Sequence, residues 1–450
     1  MDDKLESDGN IHAEDKDKMN LHNPNMVDKM ESSGNARSFN IQRSINDFAQ
    51  MFYVKYLESK SKESNLVFSP MSIHVALAML ASGATEGSST QKELFNVLGN
   101  PNSIRDLEEE YVKLINAYNK DKGGHYGKIS NALELANRVW MTRAEKTNVK
   151  QSYKDLMRDS YSIDLAELPE NDPANAVNDW VKEKTKGKIE KLFEDLSRDT
   201  KFLLTNVIYF HDAWTAEFNP IPEPHATHLN LNFTLHDGAV KSNEDVKWMT
   251  RSSSHFNFRE DVIFGAIKTK VISLPTEHDY DYGRRNKNRF DVVLVVPDYP
   301  DKPEKIHDLE TYMKGNMRFM DVINKEMAME RPYDNDVNVY MPMFSLKGSA
   351  DVAKILKDMD VKGIFQKGEF SKIYDGETLK VGNILHKATV DVDDQGVVAA
   401  AATGVELVPL SSPIITGTLK VDRPFMFVIR DAVNGFPIFM GKVMDPTRPE

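Results

Sequence analysis

Between Asp394 and Gly417 the sequence reads DQGVVAAAATGVELVPLSSPIITG, and few folds can hold such a stretch in one fixed state. Alanine is the best helix former, and four alanines stand in a row here. Val397, Val398, Val405 and Val408 favour extended backbone instead. Pro409 and Pro413 fit neither a helix interior nor a central strand. Counting alternate residues from Val397 puts Val397, Ala399, Ala401, Thr403 and Val405 on one face, all of them small or apolar. The charged Asp393 and Asp394 come before Gly396, whose backbone freedom suits a hinge. The segment settles as neither helix nor loop. It is built to change state, as a loop that can become a strand.

Composition narrows the partners and compartments open to the chain. Hydrophobic residues make up 40% of 450, enough for a substantial core. A formal net charge of −12 argues against general nucleic-acid binding, which needs a basic face. There is no cysteine, so disulfides, thiol chemistry and cysteine-held metals are excluded. The first 35 residues hold no apolar signal core. No apolar run reaches the roughly 18 residues of a membrane-spanning helix. Together these features point to the cytoplasm, or to surface display by an unconventional export route. Residues 1–40 are polar and acidic and read as a flexible extension.

From residue 45 to residue 450 no linker divides the chain, and we expect one large domain. SINDFAQMFYVKYLES carries Phe48, Phe52, Tyr56 and Leu57 at helical spacing, with Ser44 or Asn46 as cap. NLVFSPMSIHVALAMLASGA predicts a strand over 65–68 and then a buried helix, with Ser69 as cap and Pro70 in its first turn. SIRDLEEEYVKLINAYNK predicts an acidic amphipathic helix, and DPANAVNDWVKEKTKGKIEKLF a helix stopped at Gly187. KFLLTNVIYFHDAW is rich in apolar residues, as in a buried strand. LELANRVWM, RFDVVLVVP, VNVYMPMFSLKGS and KVGNILHKATVDVD read as further strands, and RPFMFVIRDAVNGFPIFMGKV as a hairpin about Asn434-Gly435. Helices and strands mix without βαβ regularity, which makes the class α+β with more than one sheet.

Taken in this order, the segments resemble a serpin over about residues 45–447. The resemblance rests on NLVFSPMSI, LASGATEGSSTQKEL, VNDWVKEKTKGKI, LLTNVIYFHDAW, LKVGNILHKATVDVDDQGVVAAAAT and DRPFMFVIRDAVNGFPIFMGKVMDP. It implies three β-sheets, about nine helices and an exposed reactive-centre loop, here about 394–417. It also implies inhibition of serine proteases by suicide-substrate trapping: the cut loop inserts into the central sheet while the protease is still attached. The alternative is a non-inhibitory serpin acting as carrier, chaperone or partner-binding protein. The hinge implied is Gly396, Val397, Val398, Ala399, Ala400, Ala401, Ala402 and Thr403. It departs from the family at Val397 and Val398, where threonine or serine and then glutamate are more common.

In the family the cleavage-site residue follows the hinge glycine by fourteen positions, which selects Leu410, with Ser411 after it. Leucine fits a hydrophobic primary pocket, so chymotrypsin-like, cathepsin-G-like or elastase-like proteases are the expected targets, each in a covalent complex with a monomeric inhibitor. Ser69, Ser72, Asn206 and His386 match positions beneath the central sheet where it opens, and Asp394 is expected to pair with a lysine. The basic stretch 277–289, with Arg284, Arg285, Lys287 and Arg289, suits an anionic glycan or acidic partner, although a solvated loop extension is the favoured reading. G-x-S-x-G, H-E-x-x-H and phosphate-loop motifs are absent, and the twelve histidines lack ligand spacing. We therefore expect no catalytic residue, metal or cofactor.

Overall fold

Helix Pro70–Gly83 has no polar face, and every one of its residues is buried. A helix that is apolar all round must be covered on every side. Strands Phe436–Val443, Phe202–Phe210 and Leu133–Met141 cover it, together with helices Ile41–Glu58, Ser89–Val97, Ile104–Lys120 and Gln151–Tyr161. The computed structural model describes residues 39–120, 133–163, 165–196, 202–215, 217–253, 256–276, 290–329, 336–375, 381, 384–397 and 415–449. Ser69 opens the helix as its sequence predicts: the side chain accepts the Ser72 N–H, and Pro70 occupies the first turn.

Three larger sheets and a two-stranded ribbon are found among the described residues. The seven-stranded sheet runs Leu165–Glu167, Leu133–Met141, Phe202–Phe210, Ile384–Val392, Gly396–Val397 and Asp212–Ala213, with Phe344–Asp351 on the other edge of Ile384–Val392. A six-stranded antiparallel sheet holds Leu66–Phe68, Phe436–Val443, Phe425–Asp431, Phe290–Pro297, Ile267–Pro275 and Asn257–Phe264. The four-stranded sheet holds Ile415–Lys420, Asp336–Pro342, Trp248–Ser253 and Asn219–Ile221. The described residues include eleven α-helices. Two of them, Arg143–Asn148 and Glu223–His228, have six residues each, which accounts for the excess over the nine expected. No described helix is long and apolar enough to cross a membrane.

Two local expectations need correction. The first helix begins at Ile41 and is capped by Asn40, whose side chain accepts the Arg43 N–H. Ser44 and Asn46 lie inside the helix and are buried. Ser44 donates to the Leu98 carbonyl and Asn46 to the Gly435 carbonyl. VNVYMPMFSLKGS is two strands in different sheets, divided at Met343. Pro342 has no N–H to continue a ladder, and the chain changes sheets directly after it.

The seven- and six-stranded sheets meet where Leu66–Phe68 packs against both. The approach there leaves no room for side chains. A Cβ on Gly348 would lie 1.9 Å from the Val67 carbonyl oxygen, and one on Gly441 would lie 2.1 Å from that of Leu66. Backbone cannot yield as a flexible side chain does, so overpacking here separates the sheets. Gly348→Ala is expected to lower stability by about 1–3 kcal/mol in equilibrium urea unfolding. Gly315→Ala, with open space around the added methyl, should stay within about 0.5 kcal/mol of the parent.

Candidate functional site

Strands Phe202–Phe210 and Ile384–Val392 run parallel at the middle of the large sheet, but they pair over four residues only: Ile384 with Leu204, Leu385 with Thr205, His386 with Asn206 and Lys387 with Val207. Beyond that point Ala388–Asp391 and Ile208–Phe210 have no strand between them among the described residues. The sheet is closed at one end and open along the rest of this seam. The last pair before the opening is joined by side chains as well as backbone.

At that pair, His386 Nδ1 lies 3.2 Å from Asn206 Oδ1, and His386 Nε2 accepts the Ser69 N–H at 2.9 Å. An imidazole that accepts at Nε2 carries its proton on Nδ1, so the ring is neutral and donates to Asn206. Burial pushes its pKa down to about 3. Ser72 Oγ also donates to Asn206 Oδ1, and Asn206 Nδ2 donates to the Ser72 carbonyl and to Asn137 Oδ1. Ser69 Oγ donates to the Ile438 carbonyl at 2.6 Å. The network ties three adjacent strands to the cap of the central helix and to the six-stranded sheet. Ser69, Ser72, Asn206 and His386, grouped from sequence, come together here. Asn137 was missed. Its signal was an amide in the middle of an apolar strand, paired in register with Asn206.

At the open end, Gly396–Val397 forms a two-residue strand between Val392 and Asp212–Ala213. Val397 is fully buried. Gly396 has little space around it: a Cβ would lie 2.3 Å from the Asp212 carbonyl oxygen. Its φ is not positive, so the need for glycine here is room rather than hinge freedom. The preceding turn is held by Asp393 Oδ1, which accepts the N–H groups of Gln395 and Gly396 at 3.0 and 3.1 Å. Trp214 Nε1 donates to the Asp393 carbonyl at 2.8 Å. Burial raises the Asp393 carboxyl above its ordinary range, with Asp394 and Asp391 adding to the rise against the two N–H bonds. Asp394 forms no ion pair among the described residues. The lysine in this neighbourhood, Lys188, sits 2.9 Å from Asp391 instead.

Helix Pro173–Lys184 lies over the sheet through an aromatic clamp. Arg138 stands 5.1 Å from the Trp140 ring and 4.7 Å from that of Trp180. Asn178 accepts the Leu192 and Phe193 N–H groups and donates to the Phe193 carbonyl. The chain after Gly187, at φ +81°, is thereby folded back beside strand Ile384–Val392. Val398, Ala399, Ala400, Ala401, Ala402, Thr403, Leu410 and Ser411 lie outside the described residues, as do Arg284, Arg285, Lys287 and Arg289.

A family model described as Serpin (serine protease inhibitor) matches residues 43–446. An uncharacterized serpin-like protein of Methanosarcina acetivorans is 30% identical over 396 residues, covering 87% of this chain and 83% of that one. Alpha-1-antiproteinase F of Cavia porcellus is 28% identical over 418 residues, 91% of each chain. The crystal structure of Serpin48, a highly specific serpin of the insect Tenebrio molitor, superposes with a TM-score of 0.68 at 25% identity, covering 92% of this chain and 100% of that chain.

The neutral state of His386 makes the fold sensitive to acid. The folded pKa lies below the unfolded value of about 6.5, so unfolding takes up a proton in the window from about pH 6.5 down to about 3. Stability from this group is complete above that window and falls as pH falls through it, by about 1.4 kcal/mol per pH unit. In urea unfolding at pH 6 to 4, His386→Gln is expected to show a shallower pH dependence than the parent by about that slope. Equal slopes would mean that His386 is charged in the folded protein.

Proposed function

The chain belongs to the serpin family, and on that premise we propose that it inhibits serine proteases by trapping them covalently as the cut reactive loop enters the large sheet. Serpins are of protease-inhibitor type rather than catalytic enzymes. One observation carries the reading: Gly396–Val397 already stands as a strand at the head of a seam that holds no further strand among the described residues, with Val397 buried.

The insertion would continue that strand. Alternation from Val397 turns Ala399, Ala401, Thr403 and Val405 inward, where small or apolar side chains pass between strands without steric or charge penalty. Val398, Ala400 and Ala402 turn to the other face. The new ladder would form first between Ile208–Phe210 and Ala388–Asp391, which share no strand pairing among the described residues, and would then displace the four pairs from Ile384–Leu204 to Lys387–Val207. At about 1 kcal/mol per net hydrogen bond, an insertion of roughly ten residues gains on the order of 10 kcal/mol. Apolar burial adds to this. A protease domain is stable by roughly 5–15 kcal/mol, so the two magnitudes are commensurate and the attached enzyme can be deformed.

In this scheme the protease attacks the carbonyl of Leu410, Ser411 becomes the new amino end, and the acyl-enzyme is carried away before water reaches it. The inhibitor contributes no catalytic group. Leu410 suits hydrophobic primary pockets of chymotrypsin, cathepsin G or elastase type and offers no cation to an acidic pocket of trypsin type. The His386–Asn206 network sits at the closed end of the seam, where it holds the sheet shut until the cut.

Incubation with chymotrypsin or elastase is expected to yield an SDS-resistant complex. Cleavage without a complex would instead indicate a carrier-type serpin. Ala401→Arg places a charge on the inward face, and Ala399→Pro removes a ladder donor. Each should abolish the complex while leaving cleavage intact, and undiminished complex would refute insertion. Leu410→Arg should transfer inhibition to trypsin-like enzymes; persistent chymotrypsin inhibition would place the scissile bond elsewhere.

A further inference from the structure

The segment 187–191 and the outer face of the large sheet enclose a cleft of about 620 Å³, within the range of small-molecule sites. Its floor is the antiparallel pair Phe344–Asp351 and Ile384–Val392, with Lys347 opposite Thr389 and Ser349 opposite Lys387. On strand Phe344–Asp351 these side chains face outward, because the buried residues alternate with them. Lys347 and Lys387 are therefore diagonal neighbours on one face, about 7–8 Å apart at the backbone, with two hydroxyl side chains beside them. Lys188 and Lys191 stand on the opposite wall.

The charges in this cleft are unevenly compensated. Lys188 is taken up by Asp391, and Lys191 by Glu194. Lys387 donates to the Lys191 carbonyl, which carries no charge. Lys347 forms no ion pair among the described residues. Glu190 and Asp391 are the carboxylates that line the cleft, and Asp391 is already engaged by Lys188. Two ammonium groups thus share a concave site without a carboxylate partner of their own, in a chain whose net charge is −12. Adjacent hydroxyls add neutral donors, and that donor set matches the oxygens of a tetrahedral oxyanion.

We propose that this cleft binds a small polyanion bearing two or more phosphate or sulfate groups, held between Lys347 and Lys387 and facing Lys188 and Lys191. The site is separate from the basic stretch 277–289. It does not depend on the inhibitory mechanism. A bound polyanion stabilises the intact fold by mass action, since the unfolded chain has no such site.

Isothermal titration calorimetry with inorganic tripolyphosphate, and in parallel with a sulfated disaccharide, on the full chain is the test. Saturable binding of at least one, with a rise in melting temperature at saturation, is expected. The stronger of the two identifies phosphate or sulfate as the ligand source. Lys347→Gln, which removes an exposed ammonium with no ion pair among the described residues, should weaken binding about tenfold. Lys347→Arg should retain it, and Glu190→Gln should tighten it. Neutralising Arg284, Arg285, Lys287 and Arg289 together should leave it unchanged. Absence of saturable binding, or binding that survives Lys347→Gln and is lost with the four loop substitutions, would overturn the proposal.

Discussion

His386 must stay uncharged for the large sheet to hold together. It is buried between two parallel strands, accepting from a helix-cap N–H on one side and donating to an amide on the other. A second proton would convert the Nε2 acceptor into a donor facing the Ser69 N–H at a site buried from bulk solvent. The same ring therefore fixes the orientation of Asn206, and Asn206 in turn aligns Ser72 and Asn137. Because Ser69 is at once network member and helix cap, the start of the buried helix and the closed end of the seam are a single structural problem. A network of this kind contributes most when every member is satisfied, and here the four grouped side chains each have a partner.

Why the seam stays open past Lys387 follows from what stands at its two ends. At one end the network fixes strand spacing. At the other the Asp393 turn, the Trp214 bonds and the Gly396–Val397 strand fix it again. Between them the two strands share no ladder among the described residues, which leaves room for a further strand. Strand edges open to pairing template the addition of a strand. Helix Pro173–Lys184 and its return segment lie across this face, attached by Arg138 between two tryptophans and by Lys188 on Asp391. These polar attachments frame a second apolar cluster, in which Val177, Trp180, Val181, Ile189, Leu192 and Phe193 pack on Trp140, Leu203 and Val207 and hold the helix to the sheet.

The parts legible in the sequence were those whose physics is local. Phe202–Phe210 is buried at every position and apolar at all but Thr205 and Asn206, because both its faces are covered. Ser69-Pro70 announces a helix start through chemistry confined to one turn. The parts that were missed depend on register or on competing local options. Asn40, Ser44 and Asn46 all carry capping chemistry, and only burial of the latter two selects Asn40. Asn137 reaches the network because it faces Asn206 across a ladder, which no single segment reveals. The break at Met343 is a change of sheet, and Pro342 just before it is its one local signal. Lys188 meets Asp391 rather than Asp394 because a folded-back turn after Gly187 delivers it there. The four side chains of the network were grouped through the family resemblance rather than through anything spacing alone could supply.

Gly396 shows how the two halves of this sequence logic meet. Its neighbour Val397 is buried, and Gly396 itself pairs with Asp212–Ala213 with no room for a side chain between, so the first step of a strand is already taken in the intact molecule. Forming a strand from nothing costs loop closure and the ordering of several residues before any bond repays it. With two residues fixed at the head of the seam, that initial cost is met by the resting fold. In the proposed insertion, extension beyond Val397 would proceed residue by residue along the short open stretch before it reached the four pairs from Lys387–Val207 to Ile384–Leu204. A run of alanines suits that process better than larger apolar residues would. Small side chains limit the burial gained at each step, but they also remove the steric barrier to entering between two strands, and entry has to outrun hydrolysis of the acyl bond. On this view the composition after Gly396 favours speed of insertion over depth of the final state.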